Sequence, residues 1–200
     1  MSVRFIICIL LVTWPTVSWG QNSLIGLSWN MSVPTGSTTN FVGETSLRGG
    51  QFEFRDFLPA ERNISLGLSI GWNGYQEDEP RQTYAIENGA VTTDLVKYTY
   101  TLPILLNVHH YFPIGENVLP YVGAGIGGMY SEHEIFFNIY NIEENEWGFA
   151  VRPEVGAIFP FGRAGLLVAA DYLWATNESS TLGIDNSASL NFRLGVVLLR

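Results

Sequence analysis

Cysteine is almost missing from this chain of 200 residues: the only one is Cys8, close to the N-terminus. The rest of the chain therefore cannot be held together by disulfide bonds, which excludes a disulfide-stabilised scaffold. Charged residues are also scarce. They make up 14% of the sequence, well below the ~25% that is typical of soluble domains. The composition thus departs from that of an ordinary soluble domain.

Long hydrophobic runs and helical periodicity are missing as well. After the first twenty residues, no segment contains eighteen or more uncharged apolar residues, so the sequence predicts no transmembrane helix. This absence does not exclude a membrane, because the strands of a transmembrane barrel carry a much weaker signal per segment.

The first twenty residues have the layout of a secretory signal peptide. Arg4 supplies a positive charge, residues 5–12 form a short apolar run, and Ser18 and Gly20 place small residues at the cleavage-determining positions. The sequence therefore predicts a signal peptide over 1–20 and one exported domain over 21–200. An uncleaved N-terminal membrane anchor is the alternative.

The stretch 96–130 contains the clearest pattern in the chain. Bulky apolar side chains occupy every second position on both sides of a break at 113–117, with small or polar residues between them. A period of two indicates β-strands, because successive strand side chains point to opposite faces. Two such runs with a short connection predict a hairpin. The alternation occurs eight times, with bulky columns that begin at Ile25, Phe52, Ile64, Val96, Val122, Trp147, Leu166 and Leu190.

Short and long connections alternate along these eight strands. The short ones span 59–62, 113–117 and 160–163, and the long ones span 34–47, 76–93, 132–146 and 176–187. Short turns at one end and long loops at the other are the plan of an outer-membrane barrel whose termini both lie in the periplasm. The predicted fold is all-β: an eight-stranded antiparallel up-and-down transmembrane β-barrel with short periplasmic turns and long extracellular loops.

The two side-chain columns distinguish a membrane barrel from a soluble one. A soluble barrel would expose the column of Gly, Ser, Ala and Asn, which is a poor soluble surface. That column suits the narrow interior of an eight-stranded barrel, so the bulky column is expected to face lipid. Its aromatic residues support this orientation because they sort by depth, as in an interfacial belt. The predicted outer belt consists of Trp72, Tyr98, Tyr100, Tyr130, Trp147, Tyr172 and Trp174.

Three prolines, Pro103, Pro120 and Pro153, fall within predicted strands. Each removes one hydrogen-bond donor from the ladder, and the sequence therefore predicts bulges at these points.

Four segments resemble the small outer-membrane β-barrel proteins, which include the opacity-protein-like porin family and the membrane domain of outer-membrane protein A. They are TLPILLNVHHYF at 101–112, PYVGAGIG at 120–127, RPEVGA at 152–157 and SLNFRLGVVL at 189–198. The resemblance covers 23–199 and implies this fold and an outer-membrane location. It implies no catalytic residues. The chain departs from the family pattern at its end, where Arg200 replaces an aromatic residue.

Charged residues of the small column are expected inside the barrel. They are Glu53, Arg55, Lys97, Arg152, Glu154, Asp171 and Arg193. Buried charges are tolerated when they are paired and hydrogen-bonded, so we expect an arginine at 152 or 193 to contact one of the three acids. A paired network of this kind predicts a structural plug. The alternative is a gated polar pathway for ions or small solutes.

Signals for catalysis and metal binding are weak. His109 and His110 are adjacent, so they point to opposite faces and cannot form one site. A lipid-facing His110 suggests outer-membrane enzymes that deacylate lipid A with a His and a Ser, but it falls near the periplasmic end without a Ser beside it. The Glu-His-Glu triplet at 132–134 indicates a solvated rim more than a metal site. The sequence predicts no enzyme and no cofactor.

Acidic residues dominate the predicted loops. The chain carries 19 acidic and 10 basic residues, which disfavours nucleic acid as a partner. A solvated surface is the simplest interpretation, with divalent-cation bridging to anionic lipid, or display to a basic partner, as alternatives. The third long loop also has an apolar cluster, at Phe136, Phe137, Ile139, Tyr140 and Ile142, which can mark a binding site.

The sequence as a whole predicts an outer-membrane protein with a structural or surface-interaction role. Its expected partners are outer-membrane lipid and, during insertion, the outer-membrane assembly machinery, and the surface partner stays unidentified. A narrow pore for ions or small solutes is the second hypothesis, and a lipid-modifying enzyme is the third.

Overall fold

The computed structural model describes residues 23–86, 89–112, 114, 117–137, 140–179 and 182–200. The predicted signal peptide at 1–20 lies outside the described residues. Eight strands make up nearly all of the described chain: β1 (Ser23–Thr35), β2 (Arg48–Phe57), β3 (Ile64–Ile86), β4 (Gly89–Tyr111), β5 (Leu119–Phe137), β6 (Tyr140–Phe161), β7 (Ala164–Ala175) and β8 (Ser187–Leu199). One short 3₁₀ helix, Gly36–Asn40, follows β1.

The strands pair in chain order and close into a barrel. Every neighbouring pair is antiparallel, including the closing pair β1–β8. That seam ends in two backbone hydrogen bonds: the amide of Ser23 donates to the carbonyl of Arg200 at 3.1 Å, and the amide of Arg200 donates back at 2.8 Å. The predicted eight-stranded antiparallel barrel is confirmed.

The barrel wall has two faces, as the period of two predicts. The mostly small and polar column of each strand is buried in the lumen together with a few bulky residues such as Leu24 and Leu167, and the bulky apolar column lies on the outside. Trp147, Leu106 and Leu27 are 67%, 66% and 63% exposed, and comparable side chains surround the barrel. A soluble monomer rarely exposes a continuous apolar surface of this extent. The surface is that of an outer-membrane barrel in contact with lipid, because a closed barrel satisfies its own backbone groups there.

Among the described residues, no helix is both long and apolar enough to cross a membrane.

Aromatic side chains of the predicted belt contact one another within and across strands. The rings of Trp72 and Tyr100 are stacked with centroids 6.4 Å apart, and those of Tyr98 and Tyr100 are nearly parallel at 6.3 Å. On the opposite side of the same hairpin pair, Tyr130 packs against Trp147 at 5.5 Å. Cross-strand aromatic pairs of this kind stabilise a sheet, and we call these five rings the aromatic patch.

Two of the four predicted long loops are strands instead. The segments expected as loops at 76–93 and 132–146 continue the ladders β3–β4 and β5–β6. β4 also stays paired with β5 as far as Leu95 and Phe137, so the four strands form one sheet beyond the aromatic patch. We call its described parts, 76–86, 89–98, 132–137 and 140–145, the outer hairpins. The two remaining connections, 36–47 and the described parts of 176–186, lie outside the eight strands.

Two of the three strand prolines lie at gaps in pairing, and the prediction of bulges at the prolines is wrong. Pairing is interrupted opposite Pro103 and Pro153 and resumes beyond each in the same register, while Pro120 stays in register opposite Ala157. A missing donor costs one ladder bond without adding a residue, so the strand keeps its register. The register shift in β3–β4 falls between Glu79 and Gln82.

Candidate functional site

Six charged side chains lie together in the middle of the lumen. They are contributed by inward positions of β2, β6, β7 and β8, and each is at most 4% exposed. We call them the lumen charge cluster: Glu53, Arg55, Arg152, Glu154, Asp171 and Arg193. All six were expected inside the barrel from the sequence. The lumen of an eight-stranded barrel is just wide enough for such side chains to fill it.

Glu154 is at the centre of this cluster. Its carboxylate is 3.1 Å from Nη2 of Arg55 and 3.5 Å from Nη2 of Arg152, and it also pairs with Arg193. The hydroxyl of Tyr121 donates a further hydrogen bond of 2.6 Å to Oε1. A buried carboxylate is stable only with such compensation. The three arginines and Tyr121 together therefore make the burial of Glu154 possible.

Arg193 connects the remaining acids. Its Nε is 2.9 Å from Oδ1 of Asp171, and its Nη1 is 3.3 Å from Oε2 of Glu53. Asn191 in turn donates to Oδ2 of Asp171 at 2.7 Å. The contact that the sequence led us to expect, between an arginine at 152 or 193 and one of the acids, is present.

Lys97 lies outside the lumen charge cluster, contrary to the sequence-based prediction. Its ammonium group pairs with Glu79 in the outer hairpins and lies 5.6 Å from the ring centroid of Phe41. The alternation placed Lys97 on the inward column correctly, but it gives no depth, and this residue is far above the cluster. Without it, the cluster holds three carboxylates and three guanidinium groups, so its formal charge balances.

Neutral polar side chains complete the cluster, and the sequence-based prediction did not name them. Nη2 of Arg152 donates to Oγ of Ser69 and to Oδ1 of Asn107, both at 3.0 Å, and the same arginine also bonds Gln51. Nη1 of Arg55 donates to the Tyr111 hydroxyl at 2.9 Å. Each residue occupies an inward position of its strand, so extending the period of two to uncharged residues would have found them.

Glycines leave the space that these side chains occupy. A Cβ atom on Gly26 would come within 2.8 Å of Cγ of Glu53, and one on Gly125 would come within 2.4 Å of Oδ1 of Asn107. In the glycine column at 123, 125 and 127, the side chains beside the first two glycines are His109 and Asn107, and backbone lies closest to the third.

An apolar plug fills the lumen on the periplasmic side of the charge cluster. Leu24, Ile158, Leu167 and Val197 are completely buried there, together with the rings of Tyr111 and Tyr121 and with Ala169. Both tyrosine hydroxyls reach up to Arg55. The plug and the charge cluster are therefore two layers joined by hydrogen bonds.

A second apolar cluster covers the extracellular end of the lumen. Phe41 and Val42 from the β1–β2 loop pack with Tyr75 and with Ile184 from the β7–β8 loop, and all four are buried. We call these residues the cap. The Ser37 hydroxyl donates to the carbonyl of Asn186 at 2.7 Å, which ties the two loops together. Sequence patterns predicted none of this, because loop contacts have no period.

His133 is buried beneath the cap, beyond the membrane-spanning part of β5. Its ring meets Phe41 edge-on with centroids 5.4 Å apart, and Nδ1 is 3.0 Å from the Thr99 hydroxyl. Burial lowers the pKa of His133 to about 4, and nearby Glu144 opposes this shift. The imidazole is therefore neutral at pH 7.

The Glu-His-Glu triplet at 132–134 lies within β5, where the sequence had suggested a loop margin. Glu132 and Glu134 therefore point to the opposite face from His133. Glu134 is paired directly with Glu143, and partial burial together with Glu132 and Glu143 raises its pKa. Among the described residues, no group of three potential ligands is arranged to hold a metal ion.

His110 faces outward, as the sequence predicted. It is paired with Ile64 on one side and Val122 on the other, and its ring contacts Phe112 at 4.6 Å. These neighbours offer no hydroxyl to a His–Ser pair.

The apolar cluster predicted at the third loop is divided between faces, since Phe136 and Phe137 alternate in β5, and Ile139 lies outside the described residues.

The comparisons with known proteins give fold likeness only. No family model matches the chain, and no curated protein is similar to it by sequence. Among solved structures, it is similar to Ail, the attachment invasion locus protein of Yersinia pestis, at 14% identity, with 88% of this chain and 95% of that chain covered and a TM-score of 0.46. The N-terminal β-barrel domain of OprF from Pseudomonas aeruginosa gives 13% identity, coverages of 89% and 98%, and a TM-score of 0.44. The outer-membrane protease OmpT of Escherichia coli gives 10% identity, coverages of 93% and 99%, and a TM-score of 0.48.

Proposed function

We propose that this outer-membrane barrel is a closed, non-enzymatic scaffold that presents its outer hairpins for binding at the cell surface. The observation that carries the proposal is the filling of the lumen at three levels. The apolar plug, the lumen charge cluster and the cap follow one another along the barrel axis. A solute would have to displace all three layers to cross.

The charge cluster itself favours a structural role over conduction. Its arginines and acids are held by one another and by neutral polar groups, with contacts of about 3 Å. Opening a path through it would separate buried charges, and breaking a buried pair typically costs 3–5 kcal/mol. A cluster of this kind fixes the barrel wall and resists ion passage.

The outer hairpins offer the surface that a partner would contact. One face of the sheet carries Leu95, Ile135, Phe137 and Ile142, whose strand positions place them side by side above the cap. Ile142 is 41% exposed. The other face carries the acids that include Glu134 and Glu143. An apolar strip bordered by polar residues is the usual composition of a protein-binding surface.

Conductance of the purified protein in a planar bilayer tests the closed lumen. We expect no steady current at 100 mV over a recording in which a general porin, reconstituted in the same way, gives clear steps. A steady, reproducible current would instead support the second hypothesis, a narrow pore for ions or small solutes.

Shortened hairpins test the surface role. Gln76 pairs with Tyr98, and Glu132 pairs with Asn145, so a two-residue turn can join each pair without changing the register of the membrane strands. Cells that carry the shortened protein should retain less of a basic polypeptide added outside than cells with the full hairpins. Equal retention, with equal amounts of both proteins in the membrane, would contradict the role.

A further inference from the structure

The periplasmic mouth of the barrel contains a cavity of about 270 Å³. It lies on the periplasmic side of the apolar plug, where the ends of β1, β2, β4, β5 and β8 meet. Its volume is just below the 300–1,000 Å³ that is common for ligand pockets, which limits an occupant to a small ligand. It belongs to neither the outer hairpins nor the lumen charge cluster.

The walls of the cavity are apolar. Phe57, Leu119 and Leu199 surround it and pack against the plug. Tyr111 forms the inner end, and its hydroxyl already accepts a hydrogen bond from Arg55 at 2.9 Å. The ring of Tyr111 is thereby fixed, with its polar group directed away into the lumen, and it packs 5.0 Å from the ring of Phe57.

The polar side chains of the cavity lie at its rim. Arg62, Asn63 and Arg200 line it, and the two arginines bring two positive charges. Apolar walls with two guanidinium groups complement an apolar tail that ends in an anion.

We propose that the periplasmic mouth binds a small apolar carboxylate. The tail lies among Phe57, Leu119 and Leu199, and the carboxylate accepts hydrogen bonds from the guanidinium groups of Arg62 and Arg200. A carboxylate suits the site because paired guanidinium groups bind it through charge-assisted hydrogen bonds. A free fatty acid and the C-terminus of an apolar peptide both have this chemistry.

Amide chemical shifts of the full chain in lipid nanodiscs test the proposal with the wild-type protein alone. Octanoate should shift the amides of Phe57, Asn63, Tyr111 and Leu199 and leave those of the cap unchanged. Octyltrimethylammonium, which has the same tail and the opposite charge, should not. N-acetyl-Leu-Phe with a free C-terminus distinguishes the sources: saturating shifts with it indicate a peptide terminus, and shifts with octanoate alone indicate a fatty acid.

Matched arginine variants identify the charge that matters. Arg62→Gln should weaken the binding of whichever carboxylate, octanoate or the peptide, shifts the wild-type amides. The expected loss is about tenfold, the usual scale for one charged hydrogen bond. Arg163→Gln should leave it unchanged, since Arg163 lies on the β6–β7 turn at the same end and does not line the cavity. Leu119→Trp, which fills the cavity, should abolish it.

Two results would overturn the proposal. One is an equal response of the wild-type amides to octanoate and octyltrimethylammonium, which would mean that any alkyl chain enters the cavity whatever its charge. The other is no response to either carboxylate. Neither result would bear on conductance or on the outer hairpins.

Discussion

Tyr121 and Glu154 are joined by a hydrogen bond of 2.6 Å in which the phenol donates to the carboxylate. The same phenol accepts from Arg55, whose guanidinium carbon lies 4.5 Å from the centroid of the Tyr121 ring. One side chain therefore belongs to two layers: its ring is part of the apolar plug, and its hydroxyl is part of the charge cluster. Stability of the lower half of the lumen should depend on this contact.

Tyr121→Phe removes only the hydroxyl. The ring still fills the plug, while Glu154 and Arg55 each lose one partner. We expect a loss of roughly 1–3 kcal/mol in the free energy of unfolding, the usual cost when a buried group loses its partner. Urea unfolding in lipid vesicles, followed by tryptophan fluorescence, measures it. Tyr172→Phe on the lipid face is the matched control, and an equal loss in both variants would contradict the assignment.

Arg193→Met and Lys97→Met separate the charge cluster from the Lys97–Glu79 pair. Arg193 is completely buried among Glu53, Glu154 and Asp171, and its loss should cost about 3–5 kcal/mol because it leaves buried acids without their partner. Lys97 is partly exposed with Glu79, so its loss should cost about 1 kcal/mol or less. The same unfolding assay tests both. Similar losses would show that Lys97 is coupled to the cluster after all.

His133 should make the cap sensitive to acid. Its folded pKa of about 4 lies below the ordinary value of 6.5, so the open form binds a proton that the closed form excludes. The contribution of His133 to closure is fully present above pH 6.5 and is lost as the pH falls through 4. At pH 5 the loss should be roughly 2 kcal/mol.

Hydrogen exchange of the amides of Phe41 and Val42 measures the opening of the cap. Exchange at these two amides, corrected for its intrinsic pH dependence, should rise between pH 7 and pH 5 in the wild type. In His133→Gln the rise should be absent. A rise of the same size in the variant would assign the effect to another group, such as Glu144.

Gly26→Val tests the space beside the charge cluster. A Cβ atom at this position would come within 2.8 Å of Cγ of Glu53, whose carboxylate is held by Arg55 and Arg193 and cannot move freely. Overpacking of this kind typically costs 1–3 kcal/mol. At Gly50 the nearest atom would be 3.5 Å away, so Gly50→Ala should cost less than 1 kcal/mol. A smaller loss at position 26 than at position 50 would be inconsistent with a filled lumen.

The period of two in the sequence predicts the barrel fold and the face of the wall to which each side chain points. It predicted correctly that Trp147 faces lipid and that Arg152 and Glu154 face the lumen, because the alternation of a strand fixes both at once. It cannot give depth, and this is why Lys97 was assigned to a cluster that lies well below it. Depth depends on strand pairing, which becomes known only when the register is known.

The outer hairpins were mistaken for loops for a related reason. Their sequences contain Pro80 and many acids, which are typical of loops. In β3 this stretch lies above the last residue paired with β2, Gly74, and a strand edge tolerates proline and charge. The cap was missed because Phe41 and Ile184 are more than 140 residues apart, and no local pattern connects them.

The closing seam between β1 and β8 has a consequence for assembly. Leu24 and Leu199 are paired although nearly the whole chain separates them, and forming such a distant contact is slow because the intervening chain must first lose its conformational entropy. Until this last pairing forms, the edges of β1 and β8 keep free backbone groups that hydrocarbon cannot satisfy. We therefore expect insertion and closure to be coupled, with the two ends of the barrel domain meeting as the wall enters lipid.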